Sequence, residues 1–175
     1  MKKVFITGAS RGIGNAIAKS LLEENYIVIG TATTSEGVEQ LIEEGILGYK
    51  LELDDLQRIN TSWEKIPNEN LDIDILINNA GFTRDNLILR MSEDEWNEVM
   101  NVHLNAIFRI TKRLLKPMLK KRWGRIINLS STSAVLGNKG QANYAAAKAG
   151  IEAFSRSLAS EVGTRGITVN AVAPG

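Results

Sequence analysis

The stretch "TGASRGIG", residues 7–14, decides the fold. Three apolar residues, Val4, Phe5 and Ile6, precede it, and a helical pattern over 12–24 follows. Gly8, Gly12 and Gly14 are spaced G-x3-G-x-G. Glycine lets a backbone turn tightly and approach a pyrophosphate. A helix N-terminus then offers unpaired N–H groups and the positive end of a dipole. Alone, such glycines form a tight turn and no more. Between a first strand and a first helix they favour a dinucleotide.

Working outward, short apolar runs alternate with helical patterns. The pattern predicts strands over 4–6, 26–32, 48–53, 73–78, 125–130 and 167–172. Helices are expected over 12–24, 36–44, 55–66 and about 143–162. A further long helix starts at Ser92, with Glu95 completing a capping box. Pro117 is expected to kink or end it. Such alternation predicts an α/β fold: a doubly wound, Rossmann-like parallel sheet of strand order 3-2-1-4-5-6. Residues 1–175 then form a single dinucleotide-binding and catalytic domain. The sequence stops at Pro174-Gly175, just past a strand. A final edge strand is therefore expected to be missing, with strand 167–172 left as a bare edge.

Composition excludes several classes. The 175 residues carry 21 basic and 20 acidic side chains, a net charge of +1, with 43% hydrophobic residues. That balance predicts neither a general nucleic-acid partner nor a membrane partner. There is no cysteine and one histidine, so neither a disulfide nor a metal site is expected. No apolar run is of signal-peptide or membrane-spanning length, so the expected compartment is cytoplasmic. The one local basic cluster is Lys120-Lys121-Arg122 with Arg125, a solvated helix end or a partner site.

NAD binders usually place a carboxylate at the end of the second strand to hold the ribose 2′-hydroxyl. Residues 26–35 contain none; the stretch holds Gly30-Thr31-Ala32-Thr33 instead. Arg11 lies within the glycine loop. A guanidinium beside small hydroxyls suits a 2′-phosphate, which favours NADP(H). Were Arg11 to face solvent only, NAD would remain, with Glu36 as a carboxylate just past the strand.

"NYAAAKAG" places Tyr144 and Lys148 four residues apart on a helix, hence on one face. An ammonium about 5 Å from a phenolate stabilises it by roughly 3 kcal/mol at an effective dielectric of ~20. Surface Tyr–Lys pairs are common, so the spacing alone does not decide. Thirteen residues before Tyr144, Ser130-Ser131 end a parallel strand, where such sheets bind ligands. The Ser131 hydroxyl is a candidate to hold a substrate carbonyl, or else caps a loop. A hydrolase triad is disfavoured, because no G-x-S-x-G surrounds the serine.

Taken together, residues 7–14, Asn78-Asn79-Ala80-Gly81, Ser131, Tyr144-x3-Lys148 and Pro174-Gly175 resemble the short-chain dehydrogenases/reductases. "TRDNLILRM" (83–91), "GNKGQANYAAAKAG" (137–150) and "RGITVNAVAPG" (165–175) are similar to the branch that reduces 3-oxoacyl thioesters on acyl-carrier protein. The resemblance implies NADPH-dependent reduction of such a thioester in fatty-acid elongation. It implies that Ser131 orients the carbonyl, Tyr144 donates the proton, and Lys148 favours the phenolate and holds the nicotinamide ribose. It places the cofactor on Gly8, Ser10, Arg11, Gly12, Ile13 and Gly14, and on Thr33, Glu52 and Leu53. Asn79, Ala80, Gly81, Tyr144, Lys148, Pro174 and Gly175 complete that set. Arg122 and Arg165 match basic positions that grip an acidic carrier. An acyl-CoA or another ketone is the alternative substrate, and a catalytically impaired dinucleotide-binding subunit the alternative role. Family members form dimers and tetramers, so a homo-oligomer (a homotetramer among the options) is expected where the C-terminal segment is present.

Two substitutions depart from the family pattern. Glu52-Leu53 stands where Asp-Val or Asn-Val is usual. His103 stands where the family has its fourth catalytic residue, an asparagine marking a helix irregularity whose main-chain carbonyl holds a relay water. The neighbours Val99, Met100, Ala106, Ile107 and Ile110 form an apolar face, so His103 is expected to point inward. Three readings stay open: passive replacement, a histidine that joins the relay, or a weakened site.

Overall fold

The computed structural model describes residues 1–174. Six parallel strands form one sheet in the order β3-β2-β1-β4-β5-β6. They are β1 (Lys3–Ile6), β2 (Ile27–Ala32), β3 (Leu47–Lys50), β4 (Ile75–Asn78), β5 (Gly124–Leu129) and β6 (Ile167–Val172). This is the order expected from the sequence.

Side chains alternate across each strand, so an apolar strand covered on both faces feeds two cores. In β1, Val4 and Ile6 pack in one cluster with Ala18 of α1 (Gly12–Glu23) and Leu41 of α2 (Ser35–Glu43). Phe5 packs in the other, with Ile59 of α3 (Leu56–Trp63). That second cluster also takes Ile110, Leu114 and Met118 of α5 (Ala106–Lys121) and Leu158 and Val162 of α7 (Ala142–Val162). The short α6 (Ser133–Leu136) follows β5. No helix among the described residues is long and apolar enough to cross a membrane.

The long helix expected from Ser92 is present but interrupted. α4 (Glu93–Met100) starts in the foreseen capping box, with Ser92 Oγ accepting from Glu95 N–H and Glu95 returning the bond to Ser92 N–H. A π turn over Asn101–Asn105 then joins α4 to α5, with Ala106 N–H bonding back to Asn101 O. Pro117 does not end the helix, which runs on to Lys121. Proline removes one helical bond, but Leu114 and Met118 on either side are buried at 1% and 0% exposure and hold the chain in place.

β3 is shorter than the expected 48–53. Its pairing stops at Lys50 because its partner β2 stops at Ala32. One more bond, Leu51 N–H to Ala32 O, ends the contact. Beyond it Leu53 stays buried without belonging to the ladder.

Candidate active site

A cleft of about 800 Å³ runs across the carboxyl ends of β1, β2, β4 and β5, where an open α/β sheet binds ligands. At one end lies the glycine loop. Gly8 takes φ +66°, and a Cβ there would stand 2.9 Å from Ala80 Cα, so only glycine fits. Gly12 also has positive φ, +57°. No side chain caps α1 and no acidic residue occupies its first turn, which leaves its leading N–H groups open to an anion. Ser10, Arg11, Gly12 and Ile13 line the cleft here, and Ile13 is 52% exposed.

Thr7 and Asn79 build this loop. Thr7 Oγ1 accepts from Asn79 N–H at 3.0 Å and Ala80 N–H at 3.1 Å. Asn79 Nδ2 donates to Thr7 O at 3.1 Å and Gly8 O at 2.9 Å. The segment after β4 is thereby tied to the segment after β1. Gly14 does not line the cleft; it is buried against Gly8 and Asn79, where its missing side chain lets α1 approach. The missing side chain thus serves packing, while the Gly14 N–H is among the leading amides of α1.

Thr33 lines the cleft and is exposed, and no carboxylate accompanies it at the end of β2. Glu36 lies outside the lining, in the first turn of α2. Glu52 and Leu53 line the cleft. Asp54 and Arg58, which sequence reasoning missed, join them. Arg58 Nη1 lies 3.0 Å from Asp54 Oδ2 and 3.6 Å from Glu52 Oε1, so one cation faces two carboxylates. The four-residue spacing of Asp54 and Arg58 was the available signal.

At the other end stand Tyr144, Lys148 and His103, all lining the cleft. Lys148 is 4% exposed and donates from Nζ to Leu129 O at 2.6 Å. Nζ stands 5.5 Å from the Tyr144 ring centre. Burial lowers the Lys148 ammonium to about 8. His103 does point inward, at 1% exposure. Its ring meets that of Tyr144 edge-on, with centroids 5.3 Å apart and planes at 88°. Nε2 lies 2.7 Å from Phe82 O and 3.2 Å from Phe82 N; the shorter contact, to a carbonyl that only accepts, assigns the ring proton to Nε2 and leaves Nδ1 a bare acceptor, buried without a partner. Burial first, and the Lys148 charge second, push His103 down to about 4, against the opposing pull of the Phe82 bond. The imidazole is therefore neutral near pH 7. Gly81 must be glycine, because a Cβ there would overlap the His103 ring.

Ser131 does not join this group. It lies outside the cleft lining, and its Oγ accepts from Ser133 N–H at 3.2 Å, closing the turn into α6. Its neighbour Ser130 lines the cleft instead and donates to Glu152 Oε1 at 2.7 Å. Glu152 follows Lys148 by four residues, a spacing that carried the signal. Pro174 lines the cleft, and Gly175 lies outside the described residues.

Arg122 and Arg165 are not part of the site either. Arg122 caps α5 with φ 52° and donates to Thr164 O at 3.3 Å, beside Arg165. Both precede the first residues of their strands, Gly124 and Ile167, whereas the cleft takes Leu129 and Ser130 from the far end of β5. A six-residue strand separates the two ends by roughly 17 Å.

A glycine-cradled helix start and a Tyr-x3-Lys pair thus share one cleft across a 3-2-1-4-5-6 sheet. The family model for short chain dehydrogenase matches residues 2–175. The chain belongs to the short-chain dehydrogenase family. It is 50% identical, over 99% of its length, to the 3-oxoacyl-[acyl-carrier-protein] reductase of Vibrio harveyi, and 51% identical to that of Pseudomonas aeruginosa. It spans 72% and 73% of those two proteins. A solved short-chain dehydrogenase from Streptomyces avermitilis superposes with TM-score 0.92 at 33% identity over 99% of this chain. The chain spans 65% of that structure, about two thirds of its length.

Proposed function

We propose that this short-chain dehydrogenase reduces 3-oxoacyl thioesters carried on acyl-carrier protein to their 3-hydroxy forms, with NADPH, in the cytoplasm during fatty-acid synthesis. The observation that carries the reading is the convergence of Tyr144, Lys148 and His103 in one cleft with the glycine loop. The named activity of relatives at about half identity supports the substrate class.

The residues fit a dinucleotide. The open first turn of α1 would take the pyrophosphate, and Arg11 with Thr33 a 2′-phosphate. Glu52 and Leu53 would face the adenine side. Ser10, Gly12 and Ile13 would line the phosphates, and Pro174 the nicotinamide side. When bound, the cofactor supplies the hydride. The chain's own work is positional and electrostatic. Tyr144 would give its hydroxyl proton to the substrate oxygen as negative charge develops there. Lys148, charged below about 8 and held by Leu129 O, would stabilise the phenolate left behind. His103, neutral and bonded to Phe82 O, fits the passive reading: it packs against Tyr144, carries no charge near pH 7, and its one ring proton is held by Phe82 O.

Arg122 and Arg165 remain proposed partner residues for an acidic carrier, on a surface away from the cleft of their own chain. A homo-oligomer remains part of the proposal.

The second reading is a dinucleotide-binding subunit with impaired catalysis. The observation favouring it is the position of Ser131, which does not line the cleft and whose oxygen accepts from Ser133 N–H. NADPH consumption by the purified chain with acetoacetyl-CoA, followed by loss of cofactor absorbance, separates the two. Turnover supports the reductase, and tight NADPH binding without turnover supports the subunit.

A further inference from the structure

The segment Phe82-Thr83-Arg84 lines the cleft beside Tyr144 yet belongs to no helix or strand. Something else must hold it. His103 holds its first residue through Phe82 O. Its last residue is held by Asn143, which is 0% exposed. Asn143 Nδ2 donates to Arg84 O at 2.9 Å and to Glu95 O at 3.2 Å. Asn143 Oδ1 accepts from Tyr144 N–H at 2.8 Å. Both ends of one buried amide are thus in use, and each end serves a different element. The donor end ties the loop to α4, while the acceptor end fixes the backbone of the tyrosine at the start of α7.

Gln141 makes no capping bond at that start; its Nε2 donates instead to Asp85 Oδ2 at 3.0 Å, beyond the 82–84 wall. A buried side chain merely filling space would not need this pattern. Serine, for comparison, could accept from the Tyr144 N–H but is too short to reach both carbonyls.

We infer that Asn143 is a positioning residue, coupling Tyr144 to the 82–84 wall of the cleft so that proton donor and wall hold one register. The kinetic part of this inference rests on the reductase reading; the structural part does not. With Asn143 gone, the cofactor's phosphate end is untouched, because Thr7 and Asn79 build it separately. Asp85 and Asn86 keep their bonds to Gln141 and Gly140, but residues 82–84 lose their direct tie to the tyrosine.

The test uses Asn143→Ala and Asn143→Ser in the full chain. Both are expected to lower kcat ~10-fold or more, with the NADPH dissociation constant within about twofold of the parent. Hydrogen exchange of amides 82–84 is expected to quicken about tenfold in both. A role confined to starting the helix predicts that the serine variant behaves like the parent, and that outcome overturns the inference. So does unchanged exchange of the loop in either variant. Adding His103→Phe to Asn143→Ala is expected to cost less in kcat than the product of the two single losses, because both anchor one loop. Fully independent losses count against it. If the parent chain oxidises no NADPH, the reductase reading fails, while the exchange measurement still decides the coupling.

Discussion

Lys148 and Leu129 are joined by a 2.6 Å hydrogen bond from ammonium to carbonyl, and the lysine is 4% exposed. The bond replaces part of the water that burial removes. It also holds the charge 5.5 Å from the centre of the Tyr144 ring. A cation parked this way acts on the phenol through space and needs no direct contact with it.

The first prediction concerns pH. With Lys148 lowered to about 8, its charge fades as pH rises through that value, so the reduction rate with saturating NADPH is expected to fall above pH 8. Lys148→Met should lower kcat roughly 100-fold or more, since about 3 kcal/mol of phenolate stabilisation is removed. Stability moves the other way. The unfolded lysine holds its proton up to the usual 10.5 and the folded one only to about 8, so stability climbs between those values in the parent. A rate profile flat to pH 10 would contradict this assignment.

His103 gives a second pH effect. Its folded value is about 4 against the usual 6.5. Above 6.5 both folded and unfolded imidazoles are neutral, and its contribution is complete. As pH falls from 6.5 towards 4 only the unfolded chain takes the proton, and stability drops by on the order of 3 kcal/mol. Urea unfolding at pH 7 and pH 4.5 should show that drop in the parent and a smaller one in His103→Gln. Equal drops would place its origin elsewhere.

Gly81→Ala tests the packing around that ring. The new Cβ would overlap the imidazole, and overpacking typically costs 1–3 kcal/mol, so a loss of about 2 kcal/mol is expected on urea unfolding. Combining it with His103→Ala should recover stability relative to the sum of the single changes, because the clashing ring is gone.

Arg11→Ala tests cofactor choice. Arg11 is exposed and lines the cleft at the open start of α1. Its loss should weaken NADPH binding ~10-fold while changing NADH binding less than about threefold. Titration calorimetry with both cofactors measures the ratio; equal weakening would remove the 2′-phosphate from the argument.

The glycine loop, the strand order and the Tyr144–Lys148 pair were legible because each depends on local spacing. Gly8 to Gly14 lie within seven consecutive residues, and Tyr144 and Lys148 lie one helical turn apart. The inward direction of His103 followed from its apolar neighbours. What stayed hidden depends on contacts distant along the chain. Asn143 and Arg84 are 59 positions apart, and Thr7 and Asn79 are 72. The part played by Ser131 was not legible, because a serine at a strand end reads alike whether its hydroxyl faces a ligand or closes a turn. Nor did the sequence say on which rim of the sheet Arg122 and Arg165 lie; strand direction puts them opposite the cleft. That the helix runs on past Pro117 was not legible, because local propensity says nothing of the buried Leu114 and Met118 around it.

The wide turn at Asn101–Asn105 makes this helix sensitive to arithmetic. It holds one residue more than an ordinary turn, and each residue of an α-helix advances the chain by about 100°. Deleting a single residue there would restore regular winding and swing α4 around its axis relative to α5. The capping box at Ser92 and the imidazole would then no longer face their present neighbours together, even with every named side chain retained. Part of the site's shape is thus stored as a count, which an insertion or deletion erases more completely than a substitution.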